Sequence, residues 1–159
     1  MSLRVRLQLS VISAAALMSA SACPGAGACG FKSYVLSETG PDAVDCGVFE
    51  PDGGRASGFS CVTQAFKNGQ TFYVVFEGDQ PTVTTAVIRT TNKKIYFVRL
   101  DTDPSGTGKG GTIINRTECI FPQVVVVQTP YEIIPGTIID AGQEVLNCQA
   151  EGPNERVCG

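Results

Sequence analysis

Residues 71–101, TFYVVFEGDQPTVTTAVIRTTNKKIYFVRLD, decide the fold of this chain. Apolar residues recur at alternate positions in three segments, 71–77, 82–90 and 94–101, which is the pattern of β-strands. The connections between the segments are short and polar, and strands joined by short turns run antiparallel. This stretch therefore predicts a three-stranded antiparallel meander.

The segment before the meander carries the one helix prediction. Over residues 55–68, Phe59, Val62 and Phe66 recur at helical spacing, and Gly69 follows where a left-handed residue ends a helix. An alternating strand over the same residues is the competing interpretation. Because the apolar face of the meander needs a cover, we expect the helix to pack on it. The predicted fold class is α+β, mostly β, with one helix packed on an antiparallel meander sheet and stabilised by disulfides.

Further strands are predicted on both sides of this unit. They fall at residues 32–36, 46–49, 112–115 and 121–128, and in the two halves of 131–140 around Pro135-Gly136. The last of the single segments includes four consecutive valines, which is typical of a strand covered on both faces and hazardous on an exposed edge. The polar tail that closes the chain, residues 148–158, needs cross-links to stay ordered.

The start of the chain has the order of a secretory signal. Arg4 and Arg6 precede a mostly apolar stretch, residues 7–17, and small residues then lead to Cys23. This order of basic, apolar and small residues is typical of a signal peptide, and the apolar part is too short to span a bilayer. We therefore expect residues 1–22 to be a signal peptide and the protein to be exported.

The residues around Cys23 resemble a bacterial lipobox, with Ser21 and Ala22 as its small residues and Ala20 where Leu is usual. The resemblance implies cleavage before Cys23, lipid attachment to that residue and a membrane partner. Pro24 stands where an inner-membrane signal would have Asp, which implies the outer membrane. An ordinary signal peptidase cut, giving a soluble secreted or periplasmic protein, is the alternative. The tether is then residues 23–31, and a single α+β domain is residues 32–159.

Cysteine parity agrees with lipid on Cys23, because six of the seven cysteines then remain for disulfides. A cut after Ala28 also leaves six. We expect Cys46 to pair with Cys61, because their short separation would clamp the helix to the segment before it. The remaining expected pairs, Cys119 with Cys148 and Cys29 with Cys158, would tie both ends of the domain to the sheet. The chain has no histidine and no Cys-x-x-Cys motif, which argues against zinc or redox sites.

Composition limits the function classes. After residue 22 the chain has ten Lys and Arg against fifteen Asp and Glu, a net charge of −5, which argues against a nucleic-acid partner. Without histidine, a Ser-His-Asp or Cys-His catalytic site is excluded. Nothing in the sequence brings together the paired carboxylates of a glycoside hydrolase, so a hydrolase is the weakest of three hypotheses. We expect a monomeric protein that is not an enzyme and has no cofactor.

One loop has the first half of a calcium-binding sequence. Asp101, Asp103 and Ser105 place oxygen ligands at alternate positions, and Gly106 follows where such a loop turns sharply. Thr112 occupies the position of the bidentate Glu, so the second half is absent. A tight turn without metal is the alternative interpretation.

The middle of the chain is similar to small uncharacterised cysteine-containing secreted or lipoprotein domains of bacteria. The similarity covers residues 45–119, and its motifs are, in order, Asp45-Cys46-Gly47, a helix bearing Cys61 and ending Ala65-Phe66, Gly69-x-x-Phe72, and Asp101-x-Asp103-Pro104-x-Gly106 before Cys119. The resemblance implies export but no activity. The order of helix and sheet is also similar to cystatin-like inhibitor folds.

Two functional hypotheses follow. The first is a bacterial envelope lipoprotein with a non-enzymatic structural or binding role, and a protein partner is conceivable. The second is a secreted inhibitor-like or small ligand-binding module that acts on an extracellular enzyme, with the loop of residues 101–111 as its contact.

Overall fold

The computed structural model describes residues 30–51, 53–108, 111–134 and 137–158. Along the chain the elements are α1 (Phe31–Thr39), β1 (Val44–Phe49), α2 (Arg55–Lys67), β2 (Phe72–Glu77), β3 (Val83–Arg89), β4 (Ile95–Asp101), β5 (Ile113–Val126), β6 (Tyr131–Ile134), β7 (Thr137–Ile139) and β8 (Glu144–Cys158). Six strands form one sheet in the order β1-β2-β3-β4-β5-β8, and β6 and β7 form a separate two-stranded sheet. The mostly β composition agrees with the sequence prediction.

The antiparallel meander is confirmed for the central strands. Strands β2, β3, β4 and β5 are consecutive antiparallel neighbours. Phe72, Val74 and Phe76 of β2 are buried and belong to the core that also contains Phe59 and Val62 of α2. The predicted helix therefore forms and covers the predicted face, and it ends at Lys67 before Gly69 adopts a positive φ of 71°.

The sheet is mixed, not purely antiparallel as predicted, because β1 runs parallel to β2. The predicted short segment 46–49 is the second half of β1. A chain that leaves one strand, forms a helix and returns to a neighbouring strand on the same sheet produces a parallel pair. Helix α2 is this connection. The sequence prediction placed the helix on the sheet but overlooked what its position between two strands implies for their direction.

A second helix, α1, replaces the strand predicted at residues 32–36. Val35 and Thr39 of α1 are buried, and Phe31 and Tyr34 pack beside Val35. Positions 31, 34 and 35 lie on one face of a helix, so the helical period was present in a segment too short for periodicity to separate helix from strand. Gly40, with a φ of 82°, follows the helix, and its N–H donates to the carbonyl oxygen of Leu36.

The strands predicted at 112–115 and 121–128 are one long strand, β5, and the polar tail 148–158 lies in a long strand, β8. The two strands pair along almost their whole length, from Ile114 opposite Cys158 to Val126 opposite Glu144. The ladder between β5 and β8 satisfies the backbone hydrogen bonds of the tail. The polar side chains of the tail give no indication of this pairing. The two strands predicted in 131–140 are confirmed as β6 and β7, whereas Pro135 and Gly136 lie outside the described residues.

The sheet curls around α2. The outermost strands β1 and β8 are five strand spacings apart, about 24 Å in a flat sheet, whereas a helix with its side chains is only about 10–12 Å wide. Nevertheless α2 packs against β1 and β2 on one side and against β8 on the other, where the N–H of Leu146 donates to Thr63 Oγ1 at 2.9 Å. Both edges can reach one helix only if the sheet bends toward it.

Two disulfides are formed within the described residues. Cys46–Cys61 links β1 to α2, and Cys119–Cys148 links β5 to β8, which are the expected pairs. Cys158 is also disulfide-bonded, while Cys29, its expected partner, lies outside the described residues together with Cys23. These bonds are compatible with an extracellular or periplasmic location. Neither helix of the described chain has the length and apolarity that crossing a bilayer requires.

Candidate functional site

The two faces of the sheet differ in how completely they are covered. On the face that carries α1, called here the α1 face, Ile88, Tyr96, Val98 and Ile114 are all buried together with Val35 of the helix. Tyr96 of this face also lies beneath the guanidinium of Arg116, at 4.7 Å from the ring centroid. The centre of the α1 face is therefore covered, whereas Val48 on the edge strand β1, the partner of Val75 of this face, is 62% exposed.

An ion pair between Arg116 of β5 and Glu38 of α1 also holds the helix to the sheet. The guanidinium of Arg116 donates from Nε to Oε2 of Glu155 on β8 at 3.0 Å and lies 3.5 Å from Oε2 of Glu38 on α1. Burial, followed by the nearby Glu38 carboxylate, raises the pKa of the Tyr34 phenol above its ordinary value. A side-chain hydrogen bond with Asp45, followed by burial, raises the pKa of Tyr73 to about 12. The Arg116–Glu38 pair thus fastens the helix to the sheet, while Tyr73 and Asp45 join β2 to β1.

On the opposite face, called here the α2 face, the cover is incomplete. Phe97 lies on β4 between β3 and β5, with Val87 and Thr117 directly opposite it. A residue on an interior strand is normally covered, yet Phe97 is 37% exposed. The reason is the position of α2, which packs chiefly on the outer strands β1, β2 and β8. The inner strands therefore have open space above one end of this face.

This space is a groove of about 480 Å³. Its floor is apolar and is formed largely by aromatic rings and by Leu146 of β8. The rings of Phe59 and Phe76 stack with centroids 4.9 Å apart at the inner end, and Phe97 lies toward the opening. Its polar wall residues are Thr85, Arg99, Asn115, Thr117, Asn147, Glu151 and Asn154.

Three asparagine side chains in the wall have unused hydrogen-bonding groups. Within the described residues, the amides of Asn115, Asn147 and Asn154 form no side-chain hydrogen bond. Each amide offers an N–H₂ donor and a carbonyl acceptor. The strand register places Asn115 opposite Arg99, and Asn154 opposite Thr117. The groove thus combines an apolar floor with neutral donors and acceptors on its rim, which is the usual make-up of a small-molecule site.

The formal charges of the described wall cancel. Arg99 supplies one positive charge and Glu151 one negative charge. The guanidinium of Arg99 is further engaged by Oδ2 of Asp101, at 3.4 Å from its Nη2. The pair is exposed to solvent on the arginine side, so its contribution to stability is small, but it leaves no uncompensated cation at the groove.

The loop that follows β4 is closed by its own hydrogen bonds. Asp103 Oδ2 accepts from the N–H of Gly108 at 2.8 Å, and its Oδ1 accepts from the N–H of Thr107 and the hydroxyl of Ser105, both at 3.2 Å. Asp101 Oδ1 accepts from the N–H of Asp103 at 3.0 Å. The oxygens that calcium would need therefore face donors, which favours the tight-turn interpretation. In the described part of the chain, no group of three or more His, Cys, Asp or Glu side chains could hold a metal ion.

The acidic side chains that a glycoside hydrolase would need as a facing pair lie apart from one another. Glu118 pairs with Lys94 at 2.9 Å, and Asp79 lies 3.9 Å from Arg55 at the far end of β2. Glu151 is the one carboxylate among the described residues of the groove wall. The groove therefore lacks the two facing carboxylates that glycoside hydrolysis uses.

Sequence reasoning missed the groove. Phe97 lies in the strand predicted at residues 94–101, but nothing in the alternation of apolar residues tells how far the helix reaches over either face of that strand. Asn154 belongs to the polar tail, residues 148–158, and Asn147 directly precedes it. No regular spacing signals their shared groove, because the two residues are seven positions apart in a strand whose side chains alternate.

Compared with protein-family models, curated proteins and solved structures, the chain matches none.

Proposed function

We propose that this protein is an exported, non-enzymatic binding domain, held on the bacterial outer membrane through lipid on Cys23, and that it binds its ligand in the groove of the α2 face. The observation that carries the proposal is the half-exposed ring of Phe97 on an interior strand. Covering an aromatic ring of this kind is favourable by about 25 cal/mol per Å² of apolar surface removed from water. A fold that covers the centre of one face and leaves the other open is suited to hold a ligand.

The anchor is tested by the intact mass of the protein purified from membranes of its host. We expect cleavage before Cys23, added acyl mass on that residue and six hydrogens missing because of three disulfides. A mass equal to that of the chain cut after Ala28, with no acyl addition, would show that the protein is secreted in soluble form and is not anchored.

The groove is tested on the same preparation by comparing native and denaturing mass spectrometry. A ligand held without a covalent bond appears as extra mass only under native conditions. Thr117→Trp places a large ring opposite Phe97, fills the groove and should remove this extra mass. If the variant keeps its fold, by circular dichroism, and retains the same extra mass, the groove is not the binding site.

A second candidate function is inhibition of an extracellular enzyme through the loop of residues 101–111. The observation that favours it is the hydrogen bonding of Asp103, which holds residues 103–108 in one conformation before any partner arrives. Preorganised loops bind with a smaller loss of conformational entropy. Asp103→Ala should loosen the loop and abolish capture of a single stoichiometric enzyme from envelope extract, whereas Thr117→Trp should leave that capture intact.

A further inference from the structure

The chemistry of the groove narrows the class of ligand, provided that the groove is the binding site proposed above. Its floor consists of Phe59, Phe76, Phe97 and Leu146, which match an apolar body. A volume of about 480 Å³ lies within the range of about 300–1,000 Å³ that small-molecule pockets occupy. The space is thus suited to one small molecule with an apolar body.

The rim determines which polar end fits. The free amides of Asn115, Asn147 and Asn154 donate and accept hydrogen bonds but carry no charge. An anionic end would meet Arg99, but that guanidinium already lies 3.4 Å from Oδ2 of Asp101. A cationic end at Asn115 and Asn154 would meet the same guanidinium as a like charge, whereas Glu151 lies opposite Cys119, four residues along β5 from Asn115. Losing hydration around a charged end without a free counter-charge is costly.

We infer that the groove selects an uncharged amphipathic small molecule, whose apolar body covers Phe97 and whose polar end donates and accepts hydrogen bonds at Asn115 and Asn154, which the register places beside Thr117. A primary amide or an alcohol has this chemistry, whereas a carboxylate of the same length does not. The selectivity comes from neutral side chains placed together by β5 and β8.

The experiment uses phenylnaphthylamine, an uncharged dye that fluoresces in apolar sites, with the folded, disulfide-bonded protein. The chain contains no tryptophan, so protein emission does not interfere. The bound dye is then displaced by decanamide, decanol and decanoate, which share one alkyl chain length and differ in their polar end. High salt is used throughout, because it screens the repulsion between decanoate and the negatively charged protein.

We expect saturable binding of one dye molecule, and displacement by decanamide and decanol at concentrations about tenfold lower than by decanoate, which corresponds to about 1.4 kcal/mol. Phe97→Ala should weaken dye binding by about tenfold, because the ring supplies apolar area. Glu151→Gln should shift the preference toward decanoate by roughly two- to fivefold, because it removes a negative charge from the wall.

The matched controls are two exposed apolar residues outside the groove wall, Phe121 at 70% and Ile138 at 63% exposure. Phe121→Ser and Ile138→Ser should bind the dye as the unaltered protein does. If these variants lose the dye and Phe97→Ala does not, the dye is held at a surface patch and the inference is overturned.

Decanoate displacing the dye as well as decanamide also overturns the inference, but it leaves a ligand in the groove and therefore leaves the proposed function standing. A complete lack of dye binding overturns the inference as well. The proposed function is judged separately, by the native mass of the protein from its host and its loss in Thr117→Trp.

Discussion

The two faces of the six-stranded sheet are made by the same strands, yet the strand β4 at its centre is buried on one face and partly exposed on the other. On β4, Tyr96 and Val98 point to the α1 face and are buried, while Phe97 between them points to the α2 face and is half-exposed. The shorter helix lies over buried side chains of the inner strands, whereas the longer one leaves a groove above them. The extent of cover is therefore decided by where a helix is fastened and not by its length.

Helix α2 is fastened at the edges of the curled sheet. Its ties are the Cys46–Cys61 disulfide to β1 and the hydrogen bond from Leu146 of β8 to Thr63. A helix held at both edges spans the inner strands and leaves space beneath one part of it. By contrast, α1 lies directly on β2 and β3. The α2 face is therefore less completely buried and contains an accessible cavity.

The largest expected difference is in the free energy of unfolding when one side chain is truncated on each face. Ile88→Ala on the α1 face should cost about 2–5 kcal/mol, because it leaves a cavity in a fully buried core. Phe97→Ala on the α2 face should cost only about 1 kcal/mol, because part of the ring is already in water. Urea unfolding with the disulfides intact measures both values, and equal losses would mean that the α2 face is as closed as the other.

Removal of the Cys46–Cys61 bond loosens the α2 face alone. Replacing both cysteines by alanine should lower the free energy of unfolding by about 2–4 kcal/mol. Hydrogen exchange should rise in α2 more than in α1, because only α2 loses its tie to β1. A uniform rise in both helices would contradict the idea that the disulfide positions α2 over the groove.

The close approach of α2 to the sheet is tested at Gly58. A Cβ there would lie 2.7 Å from the ring of Phe49 and 2.9 Å from the Val74 side chain. Gly58→Val should therefore overpack the α2 face and cost about 1–3 kcal/mol. Ser60→Val, on the exposed side of the same helix, is the matched control and should stay within about 0.5 kcal/mol of the unaltered protein.

The smallest effect concerns the α1 face at high pH. In the folded protein, the hydrogen bond with Asp45, followed by burial, raises the pKa of Tyr73 from its ordinary value near 10 to about 12. Its stabilising contribution is therefore complete below about pH 10 and is lost as the pH rises toward 12. Phenolate absorbance should show this late titration, and Tyr73→Phe should remove it. Asp45→Asn should move the midpoint down. A common midpoint near 10 for all four tyrosines would refute this account of the α1 face.

Local patterns in the sequence were sufficient for the meander, for α2 and for the Cys46–Cys61 disulfide, whereas no local pattern selected the Cys119–Cys148 pair. Alternation over residues 71–101 and helical spacing over 55–68 depend only on neighbours in the chain. The parallel pairing of β1, the helix α1 and the full length of β8 were not predicted. Each of them depends on a partner that is distant in sequence, and β8 in particular is ordered by its ladder with β5.

By itself, the sequence determined that the central segments are strands, where α2 ends and that Cys46 lies close enough to Cys61 to pair. Only the tertiary structure decided that the sheet curls, that α2 is held at its edges and that Phe97 lies beside Asn115 and Asn154 at an open groove. The physical reason is that periodicity reports which side of a strand avoids water. How completely that side is covered depends on the position of a helix, which distant contacts set.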